Sequence, residues 1–166
     1  MIFGLDIQQE MERWWLGEFR PTLTAKYGAF SIFVRILDPA TQHDWLHLDE
    51  THSVLVALQH VVSSEDFEQN VYRKLRFTIR TGLDSSEARR QPHLVEPGDF
   101  PHAGAIVYRG IAGGASGLPE ESDVWVVQQV IDHVVELRSA RAQLAIQACI
   151  SGAPGWDYLP NEVPPT

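Results

Sequence analysis

The chain has 166 residues, of which 44% are hydrophobic and 21% are charged, and this is the composition of an ordinary folded domain. Its 22 acidic residues outnumber its 13 lysines and arginines, so the net charge is −9. Because nucleic-acid binding depends on basic side chains that neutralise phosphates, we expect no nucleic-acid partner. For the same reason we expect no binding to membranes.

Three further features concern the compartment. Cys149 is the single cysteine, so no intrachain disulfide can form. The first residues lack the basic segment and apolar core of a signal peptide. No apolar run approaches the roughly 20 residues that span a bilayer. We therefore expect a cytoplasmic protein.

The N-terminal segment has the apolar periodicity of a helix. Asp6 is a suitable N-cap for this helix, and Pro21 is expected to end or kink it. The apolar positions that recur at three- and four-residue steps are Ile7, Met11, Trp14, Trp15 and Phe19.

The next segment is predicted to form a β-hairpin. Residues 29–37 are β-branched and aromatic, which favours a strand, and a turn at residues 38–41 leads to a predicted partner strand at residues 43–49. Residues 54–62 are apolar without a decisive period, so a strand and a short helix are both open for them.

A second helix is predicted to begin at Ser63 or Ser64 and to reach about Thr81, with Gly82 as its C-cap. Residues 89–101 contain three prolines and a glycine and are predicted to form a loop. Residues 103–115 are small, apolar and glycine-rich, which is typical of one or two strands in close contact with other backbone.

The longest predicted helix comes last. Pro119 suits its first position, and the acidic residues that follow complement the positive end of the helix dipole. Gly152 and Pro154 are expected to end it. Its apolar stripe comprises Val126, Val127, Val130, Ile131, Val134, Leu137 and Leu144.

The order of these elements predicts an α+β fold, in which an antiparallel β-sheet is flanked by helices and the C-terminal helix is long. We expect one domain over residues 1–153 and a proline-rich tail over residues 154–166.

The motifs that commonly carry chemistry are weak here. The glycine-rich residues 112–117 match neither the dinucleotide fingerprint nor the P-loop, and we interpret the glycines as sites of close packing and a tight strand-to-helix turn. The polar segment at residues 43–52 contains His43, His47 and His52. His43 and His47 would bind one metal ion in a helix, but four positions in a strand separate them by about 13 Å, which is too far for one ion. Ser85, Ser86 and Ser116 lack a nucleophile-elbow pattern. We therefore name no catalytic residue and no metal ligand, and an enzyme is the least favoured class.

His102 is the most informative single residue, since it lies where the proline-rich loop meets the glycine-rich strand. Asp99 is nearby and Tyr108 follows further along. An imidazole or a phenolate can ligate heme iron or form a hydrogen bond with a ligand. The alternative is a buried histidine that caps the loop.

Residues 99–105 (DFPHAGA), followed by residues 115–119 (ASGLP) and Asp123, resemble the C-terminal signature of the heme-degrading-domain (GlcG-like) family. Upstream, Arg73-Lys74 and Ser85-Ser86 resemble the basic helix and serine pair of that family. The Ser-Gly-Leu-Pro turn is the most specific part of the similarity.

The resemblance covers roughly residues 70–135 and implies a profilin-like α+β fold that forms homo-oligomers. We expect a small-ligand binding protein, with heme or another tetrapyrrole as the candidate cofactor. The predicted ligand-binding residues are His102, Gly104, Tyr108, Ser116 and Gly117. The alternative function is an oligomeric interaction module without small-molecule chemistry, which the N-terminal aromatic residues and the long last helix favour.

Overall fold

Four strands form one antiparallel sheet in the computed structural model, which describes residues 7–43, 54–63 and 67–151. The strands are β1 (Ile32–Leu37), β2 (Val54–His60), β3 (Ala105–Tyr108) and β4 (Ile111–Ser116). The helices are α1 (Ile7–Trp14), α2 (Arg20–Tyr27), α3 (Phe67–Thr81) and α4 (Glu120–Ser151). The strand order is β2-β1-β4-β3, with every neighbouring pair antiparallel. The predicted α+β class is confirmed.

Strand β1 is buried on both faces of the sheet. Successive side chains of a strand point to opposite faces, and Val34 and Ile36 belong to the core beneath α1 and α4, whereas Phe33 and Leu37 belong to the core beneath α3. Helices therefore cover the sheet on both sides. This burial explains why the segment is nearly continuously apolar and does not alternate with polar residues.

Two glycines of β4 allow the helices to approach the sheet. A Cβ atom on Gly113 would lie 2.7 Å from Ile36 Cδ1 and 2.8 Å from Val127 Cγ1, and one on Gly114 would lie 2.9 Å from Leu75 Cγ. Gly113 thus faces α4 and Gly114 faces α3. The interpretation of these glycines as sites of close packing is confirmed.

Pro21 was predicted to end or kink the first helix, and it does not end it. The α-helical geometry changes to a π-helical segment over Trp15–Phe19 and then resumes as α2, with Pro21 near its start. Proline lacks an N–H group and its ring collides with the carbonyl four residues earlier in a regular helix. The wider π turn before it interrupts the regular hydrogen-bond ladder without ending the helix. Asp6 lies outside the described residues.

On the side away from β4, β1 pairs with β2, and Val34 lies opposite Leu58. Residues 54–60 of the segment 54–62 therefore form a strand, so the strand and not the short helix is confirmed for them. His43 lies in a turn rather than in the predicted strand, and residues 44–49 lie outside the described residues.

The second half of the chain follows the predictions closely. Helix α3 ends at Thr81, and Gly82 has a φ of +73° and donates its N–H to the carbonyl of Thr78 at 2.8 Å. The loop at residues 89–101 contains one short 3₁₀ turn, Pro92–Leu94, and follows another. The glycine-rich segment forms the hairpin of β3 and β4.

Helix α4 has 32 residues and is therefore about 48 Å long. Its buried residues extend from Asp123 to Val134, whereas Leu144 is 55% exposed. Leu144 thus belongs to the predicted apolar stripe but is not buried, because the helix extends beyond the core that the sheet provides. Gly152 and Pro154 lie outside the described residues. None of the helices in the described ranges is both long and apolar enough to cross a membrane.

Candidate functional site

The site begins at the corner between β4 and α4. Gly117 has a φ of +137°, and a Cβ atom there would lie 2.1 Å from the carbonyl oxygen of Ser31. Only glycine combines this backbone conformation with so close an approach. After the corner, the Leu118 N–H donates to Asp123 Oδ1 at 3.0 Å. The corner therefore fixes the Asp123 carboxylate on the inner side of the first turn of α4.

Helix α3 supplies a lysine to this carboxylate. Lys74 Nζ lies 3.2 Å from Asp123 Oδ2 and also donates to the carbonyl of Ala115 at 3.0 Å. The side chains of Lys74 and Asp123 are only 3% and 2% exposed. The two residues are 49 positions apart in the sequence and form a buried ion pair where α3, β4 and α4 meet.

Burial dominates the electrostatics of this pair. Burial lowers the pKa of Lys74, although the charges of Asp123 and Glu120 oppose that shift. Burial also raises the pKa of Asp123 to about 6, against the opposing effects of Lys74 and of the backbone N–H groups of Leu118 and Gly117. Each partner is therefore closer to its neutral form than an exposed lysine or aspartate, and such shifts are typical of groups that exchange protons at functional sites.

A cavity of about 170 Å³ lies against the pair. Asn70 and Lys74 of α3 line one side, Phe100 and His102 of the loop before β3 line another, and Asp123 lies on the α4 side. The cavity thus combines an amine, a carboxyl group, an amide, an imidazole and an aromatic ring. These groups can bind a small polar molecule and exchange protons with it.

His102 lies at the rim of the cavity with a half-exposed side chain. Its Nδ1 lies 2.6 Å from Glu120 Oε1, and its ring packs against Phe100 with the centroids 4.4 Å apart. Burial would raise the pKa of Glu120, but the hydrogen bonds from His102 and Arg89 outweigh this effect and hold that pKa below its usual range. One ring nitrogen of His102 is thus occupied by a carboxylate.

A buried aspartate holds the loop that carries Phe100 and His102. The Asp99 carboxylate, whose side chain is fully buried, accepts a hydrogen bond from Arg80 Nη2 at 2.7 Å and one from the Glu96 N–H at 2.8 Å. Arg80 belongs to α3, so the loop is tied to the same helix that positions Lys74. This arrangement fixes two walls of the cavity relative to each other.

The structure brings together three of the five ligand-binding residues predicted from the sequence, since His102, Ser116 and Gly117 line the cavity. Gly104 lies beside the lysine: a Cβ atom there would be 2.7 Å from Lys74 Nζ. Tyr108 does not belong to the site. It ends β3, where its hydroxyl lies 3.5 Å from a carboxylate oxygen of Asp132 on α4.

The buried pair itself was not identified as a site from the sequence, although a signal existed. Lys74 lies three residues after Val71 and four before Thr78, so it falls on the buried stripe of α3. A lysine on a buried stripe requires a counter-charge or an unusual pKa. Asp123 was interpreted as a complement to the helix dipole and as part of the segment that resembles the family, and its role as the counter-charge depends on the fold.

A larger cavity of about 370 Å³ lies beside β2 and contains Arg35 in its wall. The Arg35 guanidinium donates to the carbonyls of Val34 and Leu58 and to the side chains of Gln59 and Glu68. Its hydrogen-bonding capacity is largely used by the protein, and arginine does not lose its proton in proteins. We therefore place the candidate site at the smaller cavity, where the ionisable groups are poised to exchange protons.

No protein-family model matches this sequence, and no curated protein matches it. Among the residues that the structure describes, no three histidine, cysteine, aspartate or glutamate side chains gather to hold a metal ion. His47 and His52 lie outside the described residues. The class of the site is therefore defined by its geometry: a buried amine and carboxyl pair at the wall of a small polar cavity.

Proposed function

We propose that the protein binds a small polar ligand in the cavity beside Lys74 and Asp123. The observation that carries this proposal is the buried ion pair at the cavity wall. Removing two charges from water costs several kcal/mol per ion, and such pairs are often no better for stability than apolar residues. Ionisable groups with shifted pKa values are concentrated at functional sites for this reason.

The size of the cavity favours a ligand of few atoms. Its volume of about 170 Å³ corresponds to that of about six water molecules in the liquid, and pockets for drug-sized ligands have roughly 300–1,000 Å³. Heme and other tetrapyrroles belong to the larger class. Heme binding therefore requires the loop with His102 to move, and a smaller ligand does not.

We also propose membership of the heme-degrading-domain (GlcG-like) family and a profilin-like fold. The two segments that resemble the family, residues 99–105 and residues 115–119, both contribute residues to the lining of this cavity. The sheet with helices on both faces fits the architecture that the resemblance implies. A cytoplasmic location, which the single cysteine favours, belongs to the same proposal.

Backbone amide NMR with three small probes tests ligand binding. Acetate, inorganic phosphate and propanal represent an organic anion, an inorganic anion and a neutral carbonyl compound. At millimolar concentration at least one of them should shift the amide signals of Gly104, Gly117 and Leu118 and leave that of Tyr108 unchanged. The shifts should be lost in Lys74→Met and retained in Lys26→Met, which alters the exposed lysine. If no probe moves these amides, the proposed function is wrong.

Titration with hemin separates the tetrapyrrole from the smaller ligands. A Soret shift that disappears in His102→Ala would support heme as the ligand. The absence of any Soret shift, together with amide shifts from a small probe, would support the small polar ligand that the cavity volume favours.

A second candidate function, self-association, rests on the far end of α4. Leu144 and Ile146 are each 55% exposed and Ile150 is 82% exposed. Residues 142–151 contain no charged side chain at all, which is unusual for a helix surface in water. An uncharged apolar surface can meet an identical surface across a two-fold axis without charge repulsion, and a second copy of the chain is therefore the partner that we propose for it.

Light scattering after size-exclusion chromatography tests self-association. The chain should form an oligomer at micromolar concentration, and Leu144→Glu or Ile150→Glu should shift it towards the monomer. Gln143→Glu and Gln147→Glu, which add the same charge to the same helix at uncharged polar positions, are the matched controls. A monomeric wild type would show that another part of the chain covers this surface or that it stays exposed.

A further inference from the structure

The choice of lysine at the buried position is informative. The chain has eleven arginines and only two lysines, Lys26 and Lys74. Arginine is the usual residue in buried ion pairs, because its guanidinium is weakly hydrated and forms paired hydrogen bonds, and the chain uses it at Arg35 and Arg80. The cavity contains lysine instead. Lysine differs from arginine in that it can lose its proton and become a nucleophile.

The geometry leaves one side of the amine available to a ligand. Lys74 Nζ has acceptors in the carbonyl of Ala115 and the carboxylate of Asp123, and its third N–H has no hydrogen-bond acceptor within the described ranges. The nearest aromatic ring there is that of Phe100, whose centroid is 5.8 Å away. Gly104 packs directly against the amine, because a Cβ atom there would lie 2.5 Å from the Ala115 carbonyl oxygen and 2.7 Å from Nζ, so the approach to Nζ is from the cavity that Lys74 lines. A ligand in the cavity can therefore approach the nitrogen.

We propose that Lys74 forms an imine with a small aldehyde or ketone that binds in the cavity. This inference rests on the proposed function and specifies the chemical class of its ligand. The nitrogen lone pair adds to the carbonyl carbon, the C=O π electrons move to oxygen, and the Asp123 carboxylate carries one amine proton to that oxygen, which gives a carbinolamine. The second amine proton follows the same route through Asp123, so the hydroxyl group leaves as water while the C=N bond forms and Asp123 returns to the carboxylate. One amine and one carbonyl compound thus give one imine and one water, and no oxidant or reductant is needed.

The electrostatics of the site support these steps. Burial lowers the pKa of Lys74 and raises the pKa of Asp123 to about 6, so the amine loses a proton more readily, and the carboxyl group holds one more readily, than exposed groups of the same kind. Glu120 also acts on the amine, and its own carboxylate is engaged by His102 and Arg89. Asp123 is therefore the carboxyl group with both the position and the protonation behaviour that the reaction requires.

The two lysines make a direct chemical test. The folded protein is incubated at pH 7 with propanal and sodium cyanoborohydride, which reduces an imine to a stable propyl-lysine, and the modified residues are located by peptide mass spectrometry. Because burial lowers the pKa of Lys74, a larger fraction of this amine is neutral at pH 7 in the folded chain than in the unfolded chain. We therefore expect Lys74 to be modified faster in the folded chain than in the urea-unfolded chain, and also faster than Lys26.

Two variants separate chemistry from folding. Lys74→Arg keeps the positive charge and cannot form an imine, and Asp123→Asn keeps the lysine but removes the proton acceptor, so it should slow modification of Lys74 at least about tenfold. The comparison of folded and unfolded wild type holds even if either variant fails to fold. Modification confined to Lys26 and the terminal amine, or equal rates at Lys74 in the folded and unfolded chain, would overturn the proposal.

Failure of imine formation at Lys74 is distinguishable from failure of ligand binding, which is the proposed function. If a probe moves the amide signals of Gly117 and Leu118 but Lys74 is not modified, the protein binds a ligand without forming an imine. If neither result is obtained, both proposals are wrong.

Discussion

Replacing Asp123 by asparagine would leave the Lys74 ammonium group buried without its counter-charge. The asparagine retains an oxygen for the Leu118 N–H, so the lost interaction is mainly the one with Lys74. The reverse change, Lys74→Met, keeps a similar volume and leaves the carboxyl group alone. Because the two side chains are only 3% and 2% exposed, bulk solvent screens a lone charge at either position only weakly.

The ordinary pKa values set the size of each effect. In Asp123→Asn, keeping Lys74 neutral at pH 7 lowers the free energy of unfolding by at most about 4.8 kcal/mol, because the ordinary lysine pKa is 10.5. In Lys74→Met, keeping Asp123 protonated at pH 7 lowers it by at most about 4.4 kcal/mol, because the ordinary aspartate pKa is 3.8. Both values agree with the roughly 3–5 kcal/mol expected when a buried pair loses one partner. The double variant Lys74→Met/Asp123→Asn leaves no charge and should cost clearly less than the sum of the single variants.

The pH dependence has opposite signs in the two single variants. The cost of Asp123→Asn should grow as the pH falls, because the lone lysine binds a proton more readily in the unfolded chain. The cost of Lys74→Met should shrink to about 1.6 kcal/mol at pH 5, because the lone carboxyl group is then easily protonated. In the wild type, the raised pKa of Asp123 contributes stability below pH 3.8 that is lost as the pH rises to about 6.

Urea unfolding followed by tryptophan fluorescence at pH 5, 7 and 9 measures these free energies. Glu121→Gln, which removes an exposed carboxylate from the same helix turn, is the control and should change stability by less than about 0.5 kcal/mol. Losses below about 1 kcal/mol for both single variants at pH 7, or slopes of the same sign, would refute the reasoning.

Two further predictions concern the frame of the site. Gly117→Ala places a Cβ atom 2.1 Å from the Ser31 carbonyl oxygen and should destabilise the fold by more than about 3 kcal/mol in thermal unfolding. The control Gly110→Ala, at a φ of +78° with nothing within 4 Å of the added Cβ atom, should cost only about 1 kcal/mol. Equal costs would show that the corner at Gly117 can relax. Asp99→Ala removes one carboxylate partner of Arg80, which also pairs with Glu96, and should cost about 2 kcal/mol. It should also accelerate hydrogen exchange at residues 96–102, and unchanged exchange there would show that the loop is held by other contacts.

Local signals in the sequence were sufficient for the second half of the fold. Gly82 ends α3 because its backbone conformation suits a C-cap, and the turn at Gly117 leads from β4 into α4 as residues 113–123 indicated. The first half was less predictable. Strand pairing of β1 with β2 depends on contacts between distant segments, and a local turn signal favoured residues 43–49 instead.

Some residues of the candidate site could likewise be predicted from local sequence signals, and others could not. The sequence placed His102, Ser116 and Gly117 at the cavity, because a loop end and a glycine corner are visible locally. The pair of Lys74 and Asp123 forms only where α3 and α4 meet at the end of β4. The sequence pattern within either helix does not predict which residues of the two helices will be in contact. Tyr108 was misplaced because β3 directs it to the opposite end of the hairpin.

NMR of the protein labelled with ¹³C at the lysine Cε tests most directly whether Lys74 is a buried amine available to a ligand. The two lysines give two signals, which Lys26→Arg assigns. The Lys74 signal should titrate below pH 10.5 and should shift when propanal is added at pH 7. A Lys74 signal that titrates at or above pH 10.5 and does not respond to propanal would contradict both the electrostatics of the pair and its proposed chemistry.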